Sequence, residues 1–215
     1  MRSIIAVLCL TASSAFAVNG AVLQSVTLDH NVATAHVINQ STKDITGFSV
    51  AFRATYGDGQ VEPSVHTRDY GPLTGEVLAA NKTTEMKEEY GAEPLSVEAI
   101  VVVAIYKDGA AEADDATVLD KTIATRRGIA KALRLSASTL NASLEDAHPS
   151  DYARTKLTLA RDDKSVNTAF INGSLEVIEI AANNGHEREF LQEHAARYEK
   201  EAAAFEAYSN IRRVQ

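Results

Sequence analysis

The sequence predicts an α+β protein, an N-terminal antiparallel β-sandwich followed by a C-terminal α-helical region of about three helices. Three observations carry that expectation. Up to Ala113 apolar and polar residues alternate and are punctuated by turn dipeptides, as in half-buried strands. From Asp114 onward the apolar residues recur at three- and four-residue steps, as in amphipathic helices. The charge texture changes at the same place. Residues 18–113 carry six Lys and Arg against thirteen Asp and Glu, whereas residues 114–215 carry fourteen against sixteen. A chain of 215 residues, 45% hydrophobic and 23% charged, has the composition of a folded soluble protein.

The elements follow in order. Arg2, the apolar stretch from Ile4 to Leu10 and the triplet Ala15-Phe16-Ala17 have the layout of a secretory signal peptide. Residues 1–17 are therefore expected to be removed, and the mature chain to be exported to the periplasm or the cell exterior. The apolar run is too short for a hydrocarbon core, which takes about 20 apolar residues, and no later stretch spans one. Cys9, the single cysteine, leaves with the leader. The mature chain then has no disulfide, catalytic thiol or thiolate metal site.

Val22, Val26 and Leu28 read as a first strand, and Asp29-His30-Asn31 as a turn. Ala33, Ala35 and Val37 form one face of a second strand. Phe48, Val50, Phe52, Ala54 and Tyr56 form one face of a third, closed by Gly57-Asp58-Gly59, where glycine supplies positive φ. Pro63 and Pro72 confine their segments to an edge strand or a loop. A weaker alternation runs from Thr83 to Tyr90. Val97, Ala99, Val101, Val103 and Ile105 belong to a strand apolar on both faces, expected in mid-sheet. Asp108-Gly109 turns it back in a tight hairpin.

The pattern Asn39-x-Ser41, Ile45-x-x-Phe48-x-Val50-x-Phe52, Tyr56-x-Asp58-Gly59 resembles immunoglobulin-like and FxLyD-like domains of exported bacterial proteins. In those, a strand follows an Asn-x-Ser turn and closes on Tyr-x-Asp-Gly. The resemblance covers about the first half of the chain. It implies an immunoglobulin-like sandwich over residues 18–113, an extracytoplasmic module without catalytic residues, and it assigns no site residue.

In the helical region, residues 114–215, Asp114-Asp115 suit a helix start. Leu119, Ile123, Arg126, Ala130, Leu133, Ala137, Leu140 and Leu144 then make one long stripe, with Gly128 off it. His148-Pro149-Ser150 stops this helix, and Ser150 is expected to cap a second carrying Tyr152, Leu159, Val166 and Phe170. Asp162-Asp163 interrupts its apolar face, and Asn172-Gly173 marks a kink or split. Asn183-Asn184-Gly185 ends it. Asn184 and Glu187 have capping-box spacing for a last helix with Phe190, Leu191, His194, Tyr198, Ala202 and Phe205. The break at Asp162-Asp163 leaves part of the long stripe for another surface to cover, which favours a protein partner or self-association through the helices.

Chemistry is sparse. No G-x-S-x-G, S-x-x-K, G-x-G-x-x-G or G-x-x-x-x-G-K occurs. His186, Glu189 and Glu193 share a helical face at i, i+3 and i+7, but Phe190 stands where a zinc protease needs its second histidine. A charged outer face near a helix start explains them more simply. Arg126, Arg127, Lys131 and Arg134 form a basic patch, read as salt bridging to Asp120 or to the acidic sheet. The formal net charge of -8 opposes a nucleic-acid partner. His30, His36 and His66 have no metal-ligand spacing, and Glu85, Glu88, Glu89 and Glu93 lack a calcium-loop pattern. Asn39, Asn81, Asn141 and Asn172 begin Asn-x-Ser/Thr triplets, expected bare in a bacterial protein. No catalytic, cofactor or metal residue and no cofactor is assigned. The reading is an exported, non-enzymatic interaction or structural module. Its rivals are a hydrolase assembled from dispersed carboxylates and histidines, and a ligand-binding protein with a pocket between sheet and helices.

Overall fold

Strict alternation buries Ala33, Ala35, Val37 and Asn39 on one face of the strand Val32–Asn39 (β2) and leaves their neighbours half-exposed. This face sets the first layer of the N-terminal unit. The computed structural model describes residues 18–214; the expected leader, through Ala17, lies outside the described residues. The chain gathers into two units, one through Asp120 that takes the chain back from Ile211, the other from Lys121 to Asn210.

In the first unit, β2 lies between Ala21–Asp29 (β1) and Thr83–Glu89 (β5) in a three-stranded antiparallel sheet. The second sheet has five strands. Ile45–Thr55 (β3) lies between Val61–Asp69 (β4) and Ser96–Tyr106 (β6), and Ala110–Ala113 (β7) follows β6. The last strand, Arg212–Arg213 (β8), pairs with β7 in parallel through Arg212 N–H to Gly109 carbonyl and Val214 N–H to Ala111 carbonyl, each 2.8 Å. The two sheets share one core. Ala33, Ala35 and Val37 from the first meet Phe48, Val50, Phe52, Val101 and Ala104 from the second. Each large side chain so buried stabilises the fold by about 1.5–3 kcal/mol. The strand β6 is buried on both faces from Val101 to Tyr106 and sits in mid-sheet, as its composition predicts. Pro63 lies in the edge strand β4, and Pro72 opens the single turn Gly71–Thr74 (α1).

The turn motifs have physical work. Asn39 is fully buried; its Nδ2 donates to the carbonyls of Lys43 and Leu78, both at 2.8 Å, and its Oδ1 accepts from Ser41 N–H and Oγ–H at 3.0 and 2.7 Å. The Asn-x-Ser pair thus fixes the route from β2 to β3. At Tyr56-x-Asp58-Gly59, Tyr56 and Gln60 pair across the turn, Asp58 accepts from Gln60 N–H at 2.9 Å, and Gly59 has φ 84°.

Four helices follow residue 115: Ala116–Ser143 (α2), Pro149–Ala160 (α3), Thr168–Ala182 (α4) and Glu187–Ser209 (α5). With α1 the described residues hold five helices, which corrects the expectation of about three. The expected second helix ends at Ala160. Asp163 Oδ1 accepts from Ser165 N–H at 2.8 Å and from Ser165 Oγ, which competes with helical pairing. Asn167 then caps α4 by accepting from Ala169 N–H at 3.1 Å. The anticipated break at Asn172-Gly173 does not occur, and α4 runs through it. Two caps also differ. His148 precedes α3, with Ser150 inside the helix, and His186 precedes α5, with Asn184 Oδ1 accepting from His186 N–H at 3.1 Å. Asp115 does start α2, accepting from Thr117 and Val118 N–H at 2.8 and 3.2 Å.

The core of this unit joins Ala130, Leu133, Ala137 and Leu140 of α2 to Leu157 of α3, Ile171 and Ile178 of α4, and Leu191, Ala195, Tyr198, Ala202 and Phe205 of α5. The later helices cover this part of the stripe within one chain. Where α2 and α4 cross, buried Ser136 and Ser174 meet, Ser174 Oγ donating to Ser136 Oγ at 2.8 Å.

Candidate functional site

The two sheets leave one pair of strand edges open on the same side, β4 on one sheet and β5 on the other. Backbone phase fixes what each presents. Tyr56 pairs with Gln60, and Tyr70 N–H donates to Thr46 carbonyl, so even-numbered residues of β4 bond to β3. The backbone groups of Val61, Pro63, Val65 and Thr67 therefore point away from β3, with Pro63 lacking a donor. In β5 the bonds of Asn39 N–H to Lys82 and Tyr90 N–H to Asn31 direct even residues to β2. Thr83, Glu85, Lys87 and Glu89 turn their backbone outward.

Between these lips lies a groove of about 820 Å³, lined by His66, Thr67, Arg68, Asp69, Glu85, Met86 and Lys87. Its charges are mixed and mutually placed. His66 Nε2 contacts Glu88 Oε2, and the imidazole stands edge-on to Phe52 at 5.9 Å. His36 Nδ1 is 3.6 Å from Glu85 Oε1, and Arg68 donates to Thr84 Oγ1 at 2.7 Å. Near the foot of β4, Tyr56 donates to Glu62 at 2.6 Å; that bond, with burial and the Glu62 and Glu88 charges, pushes its phenol up to about 12. Tyr90 is buried, and its phenol is also pushed up to about 12, first by burial and then by the Glu88, Tyr56 and Glu62 charges, with Ser64 acting in the opposite sense. Ser64 Oγ and Tyr90 OH are both buried without a hydrogen-bond partner.

The structure brings together residues that looked scattered in sequence. His30, His36 and His66 each lie beside one carboxylate of the acidic run: Glu93 at 3.8 Å, Glu85 and Glu88 respectively. His30, in the turn between β1 and β2, also lies 3.9 Å from Asp29. Among the described residues no three His, Cys, Asp or Glu side chains are placed to hold a metal ion. His186 and Glu189 are 3.6 Å apart with 79% of each side chain exposed, and Glu193 is exposed too. His194 stacks on Phe190 at 4.2 Å, its Nδ1 2.9 Å from the Phe190 carbonyl oxygen. The basic patch disperses. Arg126 is buried, donating to Tyr208 carbonyl at 2.8 Å and lying 5.3 Å over the Tyr208 ring. Lys131 pairs with Asp163 at 3.1 Å, and Arg134 grips Glu206 through two bonds of 2.9 and 2.6 Å. Asp163 lies in the link between α3 and α4, and Glu206 lies on α5.

No protein-family model matches the chain, and no curated protein and no solved structure matches it. The groove therefore rests on its own geometry. Sequence alternation located the β5 lip, whereas β4 was marked only by Pro63 as an edge strand or a loop, and the two belong to different sheets that meet only through the fold.

Proposed function

We propose that this is an exported interaction module whose groove between β4 and β5 accepts an extended segment of a partner protein. The observation that carries the reading is the pair of open strand edges, with backbone groups of Val65 and Thr67 on one lip and of Glu85 and Lys87 on the other. Strand addition draws affinity from such main-chain groups and specificity from alternate side chains. His66, Arg68, Asp69, Glu85 and Lys87 supply mixed charge for that selection.

Strand order supports an immunoglobulin-like sandwich as the scaffold. The order β1-β2-β5 facing β4-β3-β6-β7 is that of a constant-type sandwich whose fourth strand has moved to the opposite sheet. Export is supported by the leader pattern through Ala17. Among the described residues no helix is long and apolar enough to cross a membrane.

Displayed libraries of unstructured peptides, selected on the full chain, test the reading. Selected peptides should shift the amide resonances of Val65, Thr67, Glu85 and Lys87. A Thr67→Pro variant, which removes an outward N–H while sparing the backbone bonds to β3, should weaken them about tenfold, roughly 1.4 kcal/mol, and Thr67→Val, which loses the same hydroxyl bond to Ser49 but keeps the N–H, should not. Shifts confined to other surfaces reject the groove.

A further inference from the structure

Three donors converge on Glu112 in β7. The N–H groups of Asn19 and Gly20 lie 2.5 and 3.0 Å from its Oε2, and the Tyr106 hydroxyl donates to its Oε1 at 2.8 Å. Gly20 carbonyl accepts from Gln40 N–H at 2.8 Å, and Val18 is buried in the core shared by the two sheets. A Cβ on Gly20 would stand 1.7 Å from the Tyr106 hydroxyl oxygen, so only glycine passes beneath that ring. The nitrogen of Val18 is one residue upstream of the closest donor, and a carboxylate with three donors still has acceptor capacity.

We infer that Glu112 is the receptor for a processed N terminus at Val18, an inference that rests on the export reading above. Hydrolysis of the Ala17–Val18 peptide bond breaks its C–N bond. Water supplies the oxygen of the new Ala17 carboxylate and hydrogen to the Val18 nitrogen, which protonates to an α-ammonium. In the uncut chain that nitrogen is a neutral amide. In the cut chain it brings a positive charge to a carboxylate already held by the next two N–H groups. The residues after the cut are engaged by the fold, Val18 in the core and Asn19 and Gly20 on Glu112, whereas proteases take exposed, extended chain. Cleavage therefore precedes docking of this segment, and the new charge then holds it.

The sign of the pH dependence follows. An α-amine ordinarily titrates near 7.7–8.0. Pairing raises that value in the folded state, so the added stability is present below it and lost as pH rises through the raised value. The charged and titratable groups around the clamp are Tyr106, Lys43 lying 5.7 Å over its ring, Asp108 bonded to Lys43, and Arg213 on the Ala113 carbonyl. Burial and the bond to Glu112 hold the Tyr106 phenol above its ordinary range, and the bond from Lys43 holds the Asp108 carboxyl below its own.

The test has separate arms. Sequencing the N terminus of exported protein judges the export reading: Val18 as first residue supports it, and retained Met1 overturns it. The clamp is judged by melting two chains made in vitro, the full chain and one released from a fusion to begin at Val18. At pH 6.5 the chain beginning at Val18 should melt about 2–4 °C higher, the shift expected of one modest interaction in a chain this size. That lead should vanish by pH 10 and be absent in Glu112→Gln. Equal melting at pH 6.5, or a lead that persists at pH 10, overturns the inference. Should Glu112→Gln not fold, the wild-type pH profile alone decides.

Discussion

Asn39 shows how much structure one buried amide can specify. Both its donors and its acceptor are engaged, so an alanine there leaves the carbonyls of Lys43 and Leu78 and the Ser41 N–H without that partner. Removing one partner of a buried hydrogen bond costs about 1–3 kcal/mol, and Asn39→Ala should lower stability by about 2 kcal/mol or more in denaturant titration. The same burial bars glycan attachment at Asn39 in the folded chain, whereas Asn81, Asn141 and Asn172 are exposed. Asp163 is a second residue with a readable signature. Its bonds to the Ser165 side chain and backbone, then to Lys131, hold its carboxyl at about 2, below the ordinary 3.8. A lowered folded value favours the fold above pH 3.8, and that contribution disappears as pH falls to about 2. Melting curves of wild type and Asp163→Asn should therefore converge on acidification across that window. A constant offset down to pH 2 would show that the carboxylate charge plays no part.

At the scale of elements, Gly128 explains why the helices divide where they do. The Asn167 N–H donates to Gly128 carbonyl at 3.1 Å, so the link between α3 and α4 is pinned to the middle of α2. A Cβ at Gly128 would meet Asn167 N at 3.6 Å and Ser165 O at 3.7 Å, ordinary contact distances. Gly128→Ala should therefore stabilise the helical unit by about 0.5–1 kcal/mol through helix propensity, measured as a raised melting temperature; a loss of stability would mean the link cannot accept a methyl group. This pinning was only half legible in sequence. The apolar period of α2 and the alternation of β2, β3 and β6 announce themselves locally, because each buries one periodic face. The Asp163–Ser165 turn and the Asn167 cap act by side-chain hydrogen bonds whose strength depends on Lys131 and Gly128, over 30 residues away. Asn172-Gly173, by contrast, looks like a breaker yet stays helical, since Ile171 and Ser174 on either side are buried in tertiary contacts that outweigh propensity. The groove was least legible. Its His66 meets Glu88, 22 residues on, and its Glu85 meets His36, 49 residues back, and these pairs gain meaning only when the strands come together.

For the whole molecule, the question raised by the long stripe is whether one chain can cover its own apolar surface. Within the helical unit it does, since α3, α4 and α5 close over Leu133, Ala137 and Leu140. Among the described residues, Leu159 and Ile180 stay exposed on the helices and Leu73, Leu95 and Val214 outside the long strands, while Val61 and Val65 on β4 and Ile100 on β6 stay exposed along the second sheet, with Ala51 of β3 between Val65 and Ile100 in register. An exposed apolar edge invites pairing with another copy unless something blocks the ladder. In β4 that device is Pro63, which occupies an outward backbone position and removes its donor. The chain without its leader should accordingly sediment as one species of about 21 kDa, 23.1 kDa less the first 17 residues, across a wide concentration range. Pro63→Thr restores an outward N–H between two exposed valines while keeping a residue suited to strands. It should make the apparent mass rise with concentration, and adding Val65→Lys should reverse the rise by placing like charges at the edge. If Pro63→Thr sediments like the wild type, Pro63 is not what keeps β4 unpaired.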